Sequence, residues 1–126
     1  MSSQSPPTYG NGKICYLELP SRDARESGLF YQSVFDWNVR TRSDGSHAFD
    51  DGVGEVSGTW RTDWKPSAEI GMLLHIMVDD IELTMQKIKA MGGTIIQPVG
   101  MDAPEITARF KDPSGNILGL YQERQG

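Results

Sequence analysis

The chain writes one structural unit twice. Set Ile14–Trp37 against Gly71–Thr94, an offset of 57 residues, and an apolar stretch meets an apolar stretch while Asp23 meets Asp80. The apolar positions that follow are Ala24, Gly28, Tyr31 and Val34 in the first copy and Ile81, Met85, Ile88 and Met91 in the second. Both sets are spaced four, three and three, which is one face of one helix. A second block repeats at an offset of 61, with Phe49, Asp51, Gly54 and Gly58 matching Phe110, Asp112, Gly115 and Gly119. The unit is thus a strand, a helix and further strands. A repeated unit of this size cannot bury its apolar face alone, so the two copies must pack together, and function is sought between them.

With 126 residues the chain has room for one domain with a real core, halved by the repeat. The expected organisation is a mostly mobile tail over 1–11 and a single domain over 12–123, divided into modules 12–69 and 70–123. A net charge of −5 argues against nucleic acid or an anionic membrane surface as partner. The tail lacks a basic start and an apolar stretch, and nowhere is there a run of the roughly 20 apolar residues that a spanning helix needs. A soluble, cytoplasmic protein is expected. The single cysteine, Cys15, fits a reducing compartment and is expected to be a buried thiol facing the helix.

Local signals place the elements. Strands are expected at Ile14–Leu19, Asn38–Arg42, His47–Phe49 and Glu55–Trp60, with a helix opened by Asp23 and Glu26 and running to Phe35. Asp44-Gly45 marks a hairpin turn. The second copy predicts strands at Gly71–Val78, Thr94–Pro98, Ile106–Lys111 and Asn116–Gln122, and a helix over Asp80–Met91 stopped by Gly92-Gly93. The growth of the offset from 57 to 61 puts four extra residues near Met101–Pro104, in a surface loop that could also serve as a lid.

Phe30–Trp37 at the end of the first helix and Asp112-Pro113-Ser114-Gly115-Asn116 before the last strand, in this order and duplicated setting, resemble the vicinal oxygen chelate superfamily. This is the glyoxalase, bleomycin-resistance and extradiol-dioxygenase group, and the resemblance covers about 12–123. It implies an α+β fold of two tandem βαβββ modules, a curled mixed sheet around a central cleft with the helices outside, and commonly a homodimer. In the family's catalysts a divalent metal sits in the cleft. Carried over residue by residue, its ligand positions fall on Tyr16, Leu73, Gly58 and Gly119. None is a usual metal donor, so the usual metal site is expected to be absent and no cofactor is implied.

Alternation gives the chemistry that remains. Cys15, Leu17 and Leu19, with Met72, Leu74 and Ile76, should face the helices, leaving Ile14, Tyr16 and Glu18, with Gly71, Leu73 and His75, toward the cleft. Glu18 and His75 are repeat equivalents and are expected on adjoining cleft walls, as an acid–base pair or as a structural pair. Two ligands of a displaced metal site are a further possibility. Gly58 and Gly119 would make room for a ligand or for neighbouring bulk, with Trp60 and Tyr121 as aromatic rim or as core. Asp102 and Glu105 read as loop surface.

The expected function is binding of a small organic molecule in the cleft. If the protein is an enzyme, the reaction would be proton transfer beside a carbonyl, with His75 as acid or base, Glu18 orienting it and Tyr16 bonding the substrate oxygen. The alternative is a non-catalytic binding or sequestration protein, and third comes a metal-dependent lyase or dioxygenase.

Overall fold

The computed structural model describes residues 6–11, 13–66, 69 and 72–124. The elements run β1 (Tyr16–Pro20), α1 (Ala24–Phe35), β2 (Asn38–Thr41), β3 (His47–Asp50), β4 (Ser57–Arg61), β5 (His75–Met77), α2 (Ile81–Ala90), β6 (Thr94–Gln97), β7 (Ile106–Lys111) and β8 (Ile117–Gln122). This is βαβββ twice, an α+β fold, as the duplication predicts. The first residue of the expected fifth strand, Gly71, lies outside the described residues, and the strand itself is confined to His75–Met77.

Each helix begins where its acidic cap can take up the orphan donors of the first turn. Asp23 accepts from the amides of Arg25 and Glu26, and Asp80 from that of Leu83. The second helix stops at Met91, followed by Gly92 at φ +94°. The first ends on Asp36, itself left-handed at φ 60°, a conformation a short polar side chain tolerates.

The strands form two four-stranded mixed sheets, ordered β1-β4-β3-β2 and β5-β8-β7-β6. In each, the parallel pair places the first strand of the module at an edge. Helix α1 lies over β2, β3 and β4, α2 over β6, β7 and β8, and the two helices touch. One core therefore serves both modules. Phe30, Tyr31, Trp37, Phe49 and Trp60 come from the first and Ile81, Ile88, Phe110, Leu118 and Leu120 from the second. Tyr31 stacks on Trp37, and Trp37 on Phe49, each at 4.6 Å between ring centres.

The modules are also joined by polar contacts. The Tyr31 hydroxyl donates to Asp112 Oδ2 at 2.9 Å, and Asn116 Nδ2 donates to the Pro20 carbonyl at 2.6 Å. The Arg22 amide donates to Ser114 Oγ at 3.0 Å. Asp112 also accepts from the amides of Ser114 and Asn116, so its buried carboxylate is satisfied on both oxygens. The Asp-Pro-Ser-Gly-Asn segment is thus a turn that clamps one module to the other.

Two expectations are corrected here. Cys15 is exposed, not buried, and Met72 is 91 % exposed, because neither helix extends over the edge strand of its module. Leu17, Leu19, Leu74 and Ile76 do pack against the core. Ahead of β1, the backbone N and hydroxyl of Thr8 both donate to the Glu55 carboxylate.

Candidate functional site

The turn between the last two strands of each module decides which side chains reach the exposed sheet faces. In the first module the Asp51 amide donates to the Val56 carbonyl, whereas in the second the Asp112 amide donates to that of Asn116, one residue sooner. Asp50 consequently pairs with Ser57 but Lys111 with Ile117. The offset of 61 that holds through the turn becomes 60 in the strand after it, and with a side-chain period of two a slip of one residue exchanges the faces.

The two glycines therefore part company. Gly58 pairs with Leu17 and Phe49 and faces the core, where a Cβ would come 2.3 Å from both the Leu17 carbonyl oxygen and Phe49 Cζ. Gly119 pairs with His75 and faces outward, where a Cβ would come 2.6 Å from His75 Cδ2. Each glycine makes room for a neighbouring ring. The aromatics divide in the same way. Trp60 is 4 % exposed and packed near Tyr31 and Phe49, so it is core and not a cleft rim, while Tyr121 stays on the outer face beside Met77 and Thr107.

Neither are Glu18 and His75 brought together. No residue of β1 lies within 8 Å, Cα to Cα, of any residue of β5. The two sheets share a core through their helix-covered faces, and Glu18 and His75 stand on the exposed faces opposite. Glu18 accepts from Arg61 Nη1 at 3.0 Å, and Arg61 is held on its other side by Asp63 at 2.8 Å. Both carboxylates raise the guanidinium above its ordinary pKa, Asp63 most. Tyr16 accepts from Arg42 Nη2 at 2.6 Å.

On the second sheet an open concavity of about 360 Å³ is lined by His75, Met77, Glu105, Thr107 and Tyr121. Its shape follows from the register: Met77, Tyr121 and Thr107 stand in one row across β5, β8 and β7, and His75 in the next row lies over the bare Gly119. The Tyr121 hydroxyl donates to Glu123 at 2.8 Å, which raises its pKa, so it stays a neutral phenol. Thr107 donates to Asp102, tying the 98–105 loop to the site, and Arg124 reaches Glu105 at 3.6 Å. Glu105, a loop residue expected to be plain surface, thus lines the concavity. Strand alternation from His75 and from buried Ala108 puts Met77 and Thr107 on the outer face, a signal the sequence carries. Leu73, between the described end of the linker and β5, is half-buried and outside this lining. A second hollow, of about 310 Å³, lies by Asp23, Arg25, Glu26, Leu29, Phe30 and Met91, where the acids already cap or pair within α1.

A sequence profile of the glyoxalase/bleomycin resistance protein/dioxygenase superfamily matches residues 13–120. The chain belongs to this superfamily. Among curated proteins it is 29 % identical over 130 residues to a probable lactoylglutathione lyase of Vibrio parahaemolyticus, covering 91 % of this chain and 94 % of that one. Its fold is similar to that of a fosfomycin resistance protein from Mesorhizobium loti, with a TM-score of 0.70 at 14 % identity over 92 % of this chain and 95 % of the other. An antibiotic binding protein from Streptomyces, TnmS3, superimposes with a TM-score of 0.68 at 20 % identity over 93 % and 100 %. At such identities these two solved structures establish the fold alone.

The divalent metal of the superfamily's catalysts does not fit the residues present. Leu73 and Gly119 carry no side-chain donor, Gly58 faces the core, and the Tyr16 phenol is engaged by Arg42. Among the described residues no three His, Cys, Asp or Glu side chains converge on a point that could hold an ion.

Proposed function

We propose that this protein binds a small organic molecule against the outer face of its second sheet. The observation that carries this reading is the concavity lined by Met77, Tyr121, Thr107, His75 and Glu105, whose volume is in the range of small-molecule sites. Tyr121 and Met77 offer a flat ring and a polarisable thioether to an aromatic ligand, and His75, Thr107 and Glu105 offer hydrogen bonds. The antibiotic binding of TnmS3, on the same fold, supports binding as a sufficient role. The test is a thermal-shift screen of aromatic and carbonyl compounds, followed by calorimetry on variants. Tyr121→Ala should weaken a hit by on the order of 1 kcal/mol or more. Hits that bind Tyr121→Ala and Met77→Ala as tightly as the parent would refute the site.

A second reading, acid–base catalysis beside a carbonyl, is favoured by one observation: His75 shares the concavity with a carboxylate, Glu105. The Glu18 partner foreseen from the repeat is engaged by Arg61 on the other module, and Tyr16 is likewise distant from the second sheet's concavity. In this reading His75 moves a proton at the carbon next to the ligand's carbonyl and Glu105 orients the imidazole. Deuterium uptake from solvent at that carbon reports it, and His75→Gln should slow uptake by on the order of 100- to 10,000-fold. Uptake that persists in His75→Gln removes His75 from the chemistry.

A homodimer completes the proposal. The outer sides of β1 and β5 carry no partner strand among the described residues, and Ile14 and Met72 beside them are exposed, so a second copy would cover what one chain leaves bare. A cytoplasmic setting is in keeping with a single cysteine, Cys15, that is free and exposed.

A further inference from the structure

The outer face of the first sheet carries three arginines, and they are not equivalent. Arg40 is clamped by both oxygens of Asp50, at 3.0 and 2.9 Å. Arg61 is held between Glu18 and Asp63. Arg42 forms no ion pair with any described residue, and the hydrogen bond its side chain makes goes to a neutral group, the Tyr16 hydroxyl at 2.6 Å. The hydroxyl and amide of Ser46 both donate to Asp44 Oδ1 and are the main cause of its lowered pKa, with Arg42 a lesser one.

The placement of Arg42 is unusual for a solvated arginine. β2 and β1 are the two opposite edges of the sheet, with β3 and β4 between them. Arg42, which directly follows β2, therefore reaches across the face to a phenol on β1. Residues on that face in the intervening strands are well covered: Ala48 is 0 % and Thr59 6 % exposed. Arg42 as a residue is partly buried. A phenol that accepts from Arg42 is left with its own hydrogen to donate. A planar fork with unused N–H groups beside an outward O–H donor is the arrangement that recognises a two-oxygen anion.

We infer that Arg42 and Tyr16 form an oxyanion site on the first sheet, which takes the carboxylate or phosphoryl group of a small ligand. Arg42 supplies the charge and paired donors, Tyr16 the third donor and the fixed position of the fork. Arg40 and Asp50 beside it form a neutral pair that adds polarity without competing for the anion. This site is distinct from the concavity on the second sheet and does not rest on the function proposed for it.

The test is an NMR titration of the full chain with benzoate, with phenylphosphonate and with neutral benzamide, following the Arg42 Nε–H, the Tyr16 ring and, as a separate reporter, the His75 and Tyr121 rings. Benzoate or phenylphosphonate should shift Arg42 and Tyr16 saturably, and benzamide should not; which anion binds tells carboxylate from phosphoryl. Arg42→Gln should weaken binding at least about tenfold, and Arg42→Lys, which keeps the charge but loses the fork, by about threefold or more. Tyr16→Phe should weaken it a few fold. Neither side chain belongs to the core, so the variants should melt as the parent does. Anions that leave Arg42 and Tyr16 unshifted, or that bind Arg42→Gln as well as the parent, overturn the site. Shifts confined to His75 and Tyr121 overturn it too, while leaving the second-sheet reading intact.

Discussion

Gly58 and Gly119 show how much one methyl group can mean at equivalent places in a repeat. At Gly58 the added carbon would meet the backbone of β1 and a core ring, neither of which can move without opening the sheet or the aromatic cluster. Gly58→Ala should cost on the order of 2–3 kcal/mol in urea unfolding. At Gly119 it would meet the imidazole of an exposed histidine, which can swing aside. Gly119→Ala should therefore cost less than about 1 kcal/mol, while displacing the His75 ring resonances and weakening any ligand of the concavity. Equal losses at the two positions would show that their different faces have been misassigned.

Among the elements, the clamp between modules and the β2–β3 hairpin carry separate predictions. Tyr31 is fully buried, and burial, with Asp112 beside it, pushes its pKa well above the ordinary phenol value, so it remains a donor at all working pH. Removing that donor in Tyr31→Phe strips a buried carboxylate of one bond and should lower stability by about 1–3 kcal/mol. In the hairpin, Arg40 above all, then Ser57 and Asn38, lower Asp50 to about 2. The folded state holds this proton more weakly than the unfolded chain. The resulting stability is thus fully present above an ordinary aspartate pKa of about 4 and is lost as pH falls toward 2. Asp50 is partly exposed, so screening limits its contribution to about 1 kcal/mol. Asp50→Asn should flatten the acid limb of the stability curve by that amount; an unchanged limb would assign the acid loss to other carboxylates.

For the whole molecule, two measurements bear on the assembly of the site. Light scattering at high micromolar concentration should find twice the chain mass, and a persistent monomer would contradict the proposed cover of β1 and β5. Elemental analysis of the purified protein should find no stoichiometric zinc, nickel, iron or manganese, because the described residues gather no donor set for one. About one metal per chain that disappears in His75→Ala would contradict this and point to a site built from His75 with donors of another copy.

By itself the sequence determined the modules. Apolar spacing, acidic caps and turn residues act between near neighbours, so Asp23, Asp80, the Gly92 stop and the strand order of both copies were legible from local pattern. What only the tertiary structure decided is which faces those strands show and which walls adjoin. A single residue of difference between the 51–56 and 112–116 turns sent Trp60 and Gly58 into the core while Tyr121 and Gly119 stayed outside. Helix contacts and the Tyr31–Asp112 clamp then set the modules back on a common core, which parted Glu18 from His75. The repeat could not reveal either, because strand register hangs on how a turn closes its hydrogen bonds, and module placement on contacts up to 96 residues apart in the chain.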